Sequence, residues 1–267
     1  RRLHQSKFNL SMKAFLINLE RAKERLISCE KEFKKIALDY EIVKAVDGEI
    51  VPPTRKEVSA FFYILKHGKK VNPREVACYS SHLKALKMFL NSSEEYGLIC
   101  EDDIEFNKNF RSVLEECLKT YHNFDILRLA GSEDKTKEKG NPIKLFKLES
   151  NYYLSLNLTY KPIAACYLIN RKAAKSVLKK MKVMHLPYDY ALDRDWFLGI
   201  RSMTISPSIV NLKKEYHIDN SFIKATKNYK LSTVLRVWTV IPYRFYLESR
   251  RFIYKVTLLL KIKLFEN

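Results

Sequence analysis

The pattern that most restricts the fold is the alternation of short apolar runs with charged stretches of helical period. KAFLIN (13–18) passes without a break into LERAKERLISCEKEFKKI, where Leu19, Leu26, Ile27, Phe33 and Ile36 recur at helical spacing. A strand feeding directly into a helix is a βα unit. YEIVKAV (40–46) repeats the strand signal, and Asp47-Gly48 closes it with a turn. PREVACYSSHLKALKMFLNSSEEYG then predicts a turn and a helix with Ser80 or Ser81 near its start, and GLICEDDIEF a strand. NFRSVLEECLKTYH predicts a helix and FDILRLA (124–130) a strand, followed by the polar loop GSEDKTKEKGN. YYLSLNLTY and AACYLIN are strand-like, RKAAKSVLKKMK is helical, and SMTISPSIV is a late strand. This alternation predicts one α/β domain over residues 12–223, with a mainly parallel central sheet flanked by helices.

Hydrophobic residues make up 46% of the 267, enough to bury a sizeable core. The 49 Lys+Arg against 30 Asp+Glu leave a net charge of +19, which calls for an anionic partner. The basic excess is marked in residues 224–267, where ten Lys/Arg face two Glu and are interleaved with Trp238, Tyr243, Phe245, Tyr246, Phe252, Tyr254 and a run of leucines. Such a segment suits an anionic membrane surface, with Pro242 expected to break or kink it. Residues 1–11, ahead of a natural start at Met12, are expected to be an extraneous remnant outside the fold. Neither a secretory leader nor an apolar run long enough to span a membrane is read in the chain. The five cysteines (29, 78, 100, 117, 166) are odd in number and show no CxxC pair, so reduced buried thiols of a cytosolic protein are expected.

One stretch fits this picture awkwardly. In YGLICEDDIEF (96–106) an apolar run ends in Glu101, Asp102 and Asp103. Strand alternation puts Glu101 and Asp103 on one face and Asp102 on the other. The carboxyl edge of an open α/β sheet is where ligands bind. Carboxylates gathered there need a counter-charge, and a hard divalent cation such as manganese or magnesium supplies one. HLPYDYALDRDW holds a second acidic group, in which Asp189 and Asp193 would share a helix face. There is no GxGxxG, Walker loop, GxSxG or HExxH, which removes the dinucleotide, P-loop, serine hydrolase and zincin classes.

FLINLERAKERL, REVACYSSHLKAL and YGLICEDDIEF, in this order, resemble glycosyltransferase family 25, the lipooligosaccharide galactosyltransferase type, over roughly residues 13–223. Ala77 stands where the family block Glu-x-Gly-Cys-x-x-Ser-His has Gly, and Cys100 where another apolar residue is usual. The resemblance implies a GT-A-like fold that binds a UDP-hexose, most often UDP-galactose, and a divalent metal, with manganese preferred. It implies Asp103 as direct metal ligand with Glu101 and a late His217 beside it, and Asn18, Arg21, Arg25, His82, Glu101 and Asp102 around the donor. Asp189, in a Pro-x-Asp motif, is the first candidate for the catalytic base and Asp193 the second. The implied reaction inverts the sugar to a β-linkage on a lipooligosaccharide or lipopolysaccharide glycan. The implied place is the inner face of the bacterial inner membrane, with residues 224–267 on the lipid and no nucleic acid involved. The competing expectation is a basic nucleic-acid- or membrane-binding protein without catalysis. It leaves the acidic cluster unexplained, because acids at a phosphate-binding face repel the ligand.

Overall fold

A computed structural model of the chain describes residues 12–131, 142–148, 151–160, 163–213 and 232–266. Its strands are β1 (Met12–Asn18), β2 (Tyr40–Lys44), β3 (Tyr96–Glu101), β4 (Ile104–Phe106), β5 (Ile126–Arg128), β6 (Ile143–Lys147), β7 (Tyr153–Leu156), β8 (Cys166–Asn170), β9 (Ser202–Ser206) and β10 (Val210–Leu212). The helices are α1 (Lys23–Ile36), α2 (Ala60–His67), α3 (Pro73–Asn91), α4 (Phe110–Thr120), α5 (Arg171–Lys180), α6 (Tyr188–Leu192), α7 (Asp195–Leu198), α8 (Thr233–Trp238) and α9 (Val240–Phe265).

Eight strands form one sheet in the order β2-β1-β3-β8-β5-β9-β7-β6, and β4 pairs with β10 in a separate antiparallel ribbon. The pairings send β1, β2, β3, β5, β6 and β9 one way and β7 and β8 the other. The strand direction is therefore mainly parallel, as expected, with reversed strands that make the sheet mixed. Helices cover both faces, which is why β1 and β3 read as nearly continuous apolar runs. One core lies between the sheet, α1 and α4, and includes Leu16, Phe33, Cys100 and Leu114. The other lies under α3, α5 and α6, and includes Phe15, Leu86, Ile99 and Val177.

Two boundaries differ from the sequence reading. The helix expected to begin near Ser80 or Ser81 begins at Pro73, capped by Asn72, whose side chain accepts from the Arg74 amide at 3.0 Å. Pro at the first helical position costs no hydrogen bond, so the start lies earlier than the serines suggested. Ser81 instead sits mid-helix, donating to the Ala77 carbonyl and accepting from the Val46 amide at 2.8 Å, which ties α3 to the end of β2. GLICEDDIEF is not one strand. β3 ends at Glu101, Asp102 and Asp103 form a turn, and β4 follows.

Gly97 fixes how closely α3 approaches β3. A Cβ there would come within 2.7 Å of the Phe89 ring, so a larger residue would push the helix off the strand.

The C-terminal helix is docked along one face. Val240, Leu247, Arg251, Lys255, Leu258 and Ile262 are buried and recur at helical spacing. Lys255 Nζ lies 2.6 Å from Asp195 Oδ2, and Arg251 Nε lies 2.7 Å from Asp193 Oδ2. Glu266 pairs with Arg201 at 3.0 Å and accepts from Tyr121. Pro242 falls in the first turn of α9, where a missing amide is tolerated, so the break comes at Thr239 between α8 and α9. Phe245, away from that face, is 75% exposed, and Trp238 on α8 and Phe265 at the end of α9 are 78% and 79% exposed.

Candidate functional site

The site forms where β1 and β3, adjacent and parallel, end side by side. Asn18 closes β1, and its side-chain amide donates to Asp102 Oδ2 at 2.7 Å. Arg25, one turn into α1, pairs with the other Asp102 oxygen. Both oxygens of this buried carboxylate are thus bound by the βα unit that opens the chain. Burial alone would push the Asp102 pKa up, and Arg25 and Asn18 oppose that rise. Asn18, Arg25 and Asp102 therefore meet as one network at the sheet edge. Arg21 points elsewhere, to Asp47 at 3.4 Å and to Glu49 in the loop after β2.

Asp103 is buried next to this network. Burial first, then the charge of Glu101, holds its carboxyl at about 7 against an ordinary 3.8, in spite of Arg25. Arg25 pairs with Asp102, and its charge offsets only part of the rise at Asp103. Two carboxylates at a strand end, one of them held at about 7 by burial and by the other's charge, suit a hard cation that prefers oxygen ligands. The donor chemistry here therefore fits manganese or magnesium held by Asp103 and Glu101.

Glu101 also faces α3. His82 Nε2 lies 3.2 Å from Glu101 Oε1, and its Nδ1 faces the Tyr167 hydroxyl at 3.4 Å. The imidazole stacks on Tyr188 with centroids 4.1 Å apart and planes 6° apart, and the Tyr188 hydroxyl meets that of Tyr167 at 2.8 Å. One turn earlier on α3, Cys78 is exposed, unlike the other four cysteines. Its thiol is pushed well up by crowding and by Glu101, Asp189, Glu75 and Asp103. All four acids lie near enough to Cys78 to act on its thiol.

Asp189, at the start of α6, is one of these four. It accepts from the Tyr160 hydroxyl at 2.7 Å and from the Tyr190 amide at 2.9 Å. Burial raises its pKa, while the Tyr160 bond and Arg128 pull it down. Tyr160 stacks on Tyr190 at 4.1 Å. Tyr63 donates to Glu75 on the same side. A half-buried carboxylate with a raised pKa, walled by aromatic rings, can accept a proton from a hydroxyl laid on those rings.

Asp193 stands in different surroundings. It caps the end of α6 one turn after Asp189, and its amide donates to the Asp189 carbonyl at 3.2 Å. Its carboxylate is buried between Arg128 at 3.4 Å and Arg251 at 2.7 Å. That arrangement anchors α9 and leaves Asp193 committed to arginines. His217 lies outside the described residues.

The sequence reading gave no role to Glu75, Tyr160, Tyr167 or Tyr188. The tyrosines come from three separate segments, and only the topology joins them. Cys78 and His82 did carry a readable signal, since i and i+4 share a helix face.

A family model described as glycosyltransferase family 25 (LPS biosynthesis protein) matches residues 11–192. A Haemophilus influenzae protein with a provisional glycosyltransferase name is 26% identical over 223 residues, covering 80% of this chain and 75% of that one. Procollagen galactosyltransferase 2 of Mus musculus is 23% identical over 149 residues, covering 52% of this chain and 24% of the relative. The viral and animal relatives are matched over only 16% to 44% of their own lengths. Among solved structures, S. aureus TarS 1–349 in complex with UDP-GlcNAc aligns at a TM-score of 0.38 and 12% identity, covering 76% of this chain and 58% of that one. With the family match spanning most of the described sheet and both acidic motifs, the chain belongs to glycosyltransferase family 25.

Proposed function

We propose that this glycosyltransferase moves a hexose, galactose from UDP-galactose, onto a lipooligosaccharide or lipopolysaccharide glycan, with inversion to a β-linkage. The observation that carries the reading is the grouping of acids around α3, where Glu101, Asp103 and Asp189 all act on the Cys78 thiol and Glu101 raises Asp103. The family description and the galactosyltransferase name of the mouse relative support the sugar and the acceptor class.

Asp103 and Glu101 would hold a divalent cation, manganese by preference. When bound there, such an ion supplies positive charge for the donor diphosphate. Asn18 and Arg25 keep Asp102 fixed, so that the turn holds Asp103 near Glu101. Asp189 takes the proton of the acceptor hydroxyl as that oxygen attacks the anomeric carbon. Tyr160 orients the Asp189 carboxylate, and with Tyr190 it gives the acceptor ring a stacking surface. Water exclusion falls to the same tyrosines.

The outer face of α8 and α9 adds a place of work. Val234, Trp238, Ile241, Phe245 and Phe252 are exposed there, and Arg236, Arg244 and Arg250 are close to them along the chain. Apolar groups that insert at headgroup depth, ringed by cations, match an anionic membrane surface. No described helix is long and apolar enough to cross a membrane. A glycolipid acceptor presented at that surface fits this arrangement.

The test is a donor screen with UDP-galactose, UDP-glucose and their N-acetyl forms against a deacylated lipooligosaccharide, with the product's anomeric coupling read by NMR. Transfer of galactose with a β-anomeric coupling is expected. Transfer of a different sugar, or an α-linked product, overturns the specific reading.

A further inference from the structure

We propose that Cys78, His82 and Glu101 form a binding site for a zinc-class cation, chemically distinct from the all-oxygen site centred on Asp103. The ligand atoms of these three residues lie within 4.8 Å of one another. Tetrahedral zinc with bonds of about 2.0–2.3 Å needs ligand atoms about 3.5 Å apart, so the set is close to closure. The His82–Glu101 pair already stands at 3.2 Å. Cys78 and His82 are four residues apart on α3 and share its face.

The surroundings of His82 are those of a metal ligand. Nε2 faces Glu101, and Nδ1 is left to donate to the Tyr167 hydroxyl. A second-shell partner of that kind fixes which nitrogen is available and which way the ring points. Stacking on Tyr188 fixes the ring plane. Thiolate and imidazole select zinc-class ions over manganese and magnesium, which favour oxygen alone. Three protein ligands leave a fourth position, and the exposure of Cys78 opens it to solvent. The carboxylates of Glu75, Asp103 and Asp189 add a negative field that draws cations in. Zinc binding itself does not depend on the transferase reading. One consequence does: an ion that occupies Glu101 withdraws it from Asp103, so zinc should inhibit transfer.

The experiment uses the chelator-stripped full chain titrated with Co2+ as a spectroscopic stand-in, followed by displacement with Zn2+. Wild type should show a sulfur-to-cobalt charge-transfer band that saturates at one equivalent. Cys78→Ser should lose the band, keep its circular dichroism, and weaken zinc binding on the order of 100-fold or more. Tyr167→Phe should weaken zinc roughly 10–100-fold, the usual cost of losing a ligand's orienting partner. No band at stoichiometric cobalt, or an unchanged band in Cys78→Ser, overturns the proposal. Turnover measured in parallel separates the two readings. A band without sugar transfer supports this site and removes the transferase specifics, and transfer without a band removes this site alone.

Discussion

Replacing Asp103 by Asn in the metal-free protein should make the fold more stable at alkaline pH. Burial and Glu101 hold the Asp103 carboxyl at about 7 instead of 3.8. At about 1.36 kcal/mol per pKa unit, the ionised form costs the fold about 4 kcal/mol relative to the neutral acid. The folded pKa is raised, so the stabilising contribution is complete below the ordinary value and is lost as pH rises through about 7. Asn has the shape of the neutral acid and does not titrate. Near the ordinary carboxylate pKa the variant and wild type should therefore unfold alike. At about pH 8 Asp103→Asn should be more stable by up to about 4 kcal/mol, a ceiling because protons on interacting carboxylates are shared. Urea unfolding in EDTA, followed by circular dichroism at the two pH values, measures this. The m-value should not change, since the exposed surface is the same. Equal stability at alkaline pH, or a less stable variant, refutes the claim that the cluster is electrostatically strained for a cation. Functional sites commonly give up stability in this way.

Three further outcomes follow from the same structure. Tyr160→Phe removes a hydrogen bond that lowers the Asp189 pKa, so the acid limb of the kcat/KM profile should move to higher pH; a limb that stays put or moves down contradicts Asp189 as base. Arg251→Met strands Asp193, whose carboxyl is already held at about 6 by burial, so the loss of stability should be small near pH 5 and grow above about pH 6 by up to about 1.36 kcal/mol per unit; a pH-independent loss would show that the pair does not anchor α9. Phe245→Ser with Trp238→Ser should leave folding intact and lower binding to anionic vesicles by at least about tenfold, given roughly 1.5–3 kcal/mol for burying a large apolar side chain; unchanged vesicle binding removes the membrane face.

The parts of the site written in adjacent residues were readable in advance. KAFLIN with its following helix, and the acids after ICE, fixed Asn18, Arg25 and Asp102 at one sheet edge because βα geometry leaves few other places for them. The division of labour was not readable. Strand alternation separated Asp102 from its neighbours, but only the pairing of β1 with β3 shows that Arg25 and Asn18 take both Asp102 oxygens. Asp189 and Asp193 looked equivalent at four-residue spacing. Arg128 and Arg251 distinguish them, and they arrive from β5 and α9. The aromatic C-terminal segment carried two messages on one helix. Its buried arginine and lysine bind it to the domain, while its apolar outer face stays exposed. The start of α3 was misplaced because Asn72-Pro73 is a stronger start signal than a pair of serines. α2 and β6 went unread because an apolar patch and a Lys-rich edge strand show little periodicity.

The account turns on Glu101 and Asp103 holding a cation for a nucleotide-sugar. The direct measurement is UDP release from UDP-galactose by wild type and Asp103→Ala, in EDTA and after manganese is restored. Wild type should be silent in EDTA and recover with manganese, and Asp103→Ala should stay silent in both. Release that is equal with and without metal, or unchanged in Asp103→Ala, would contradict the account.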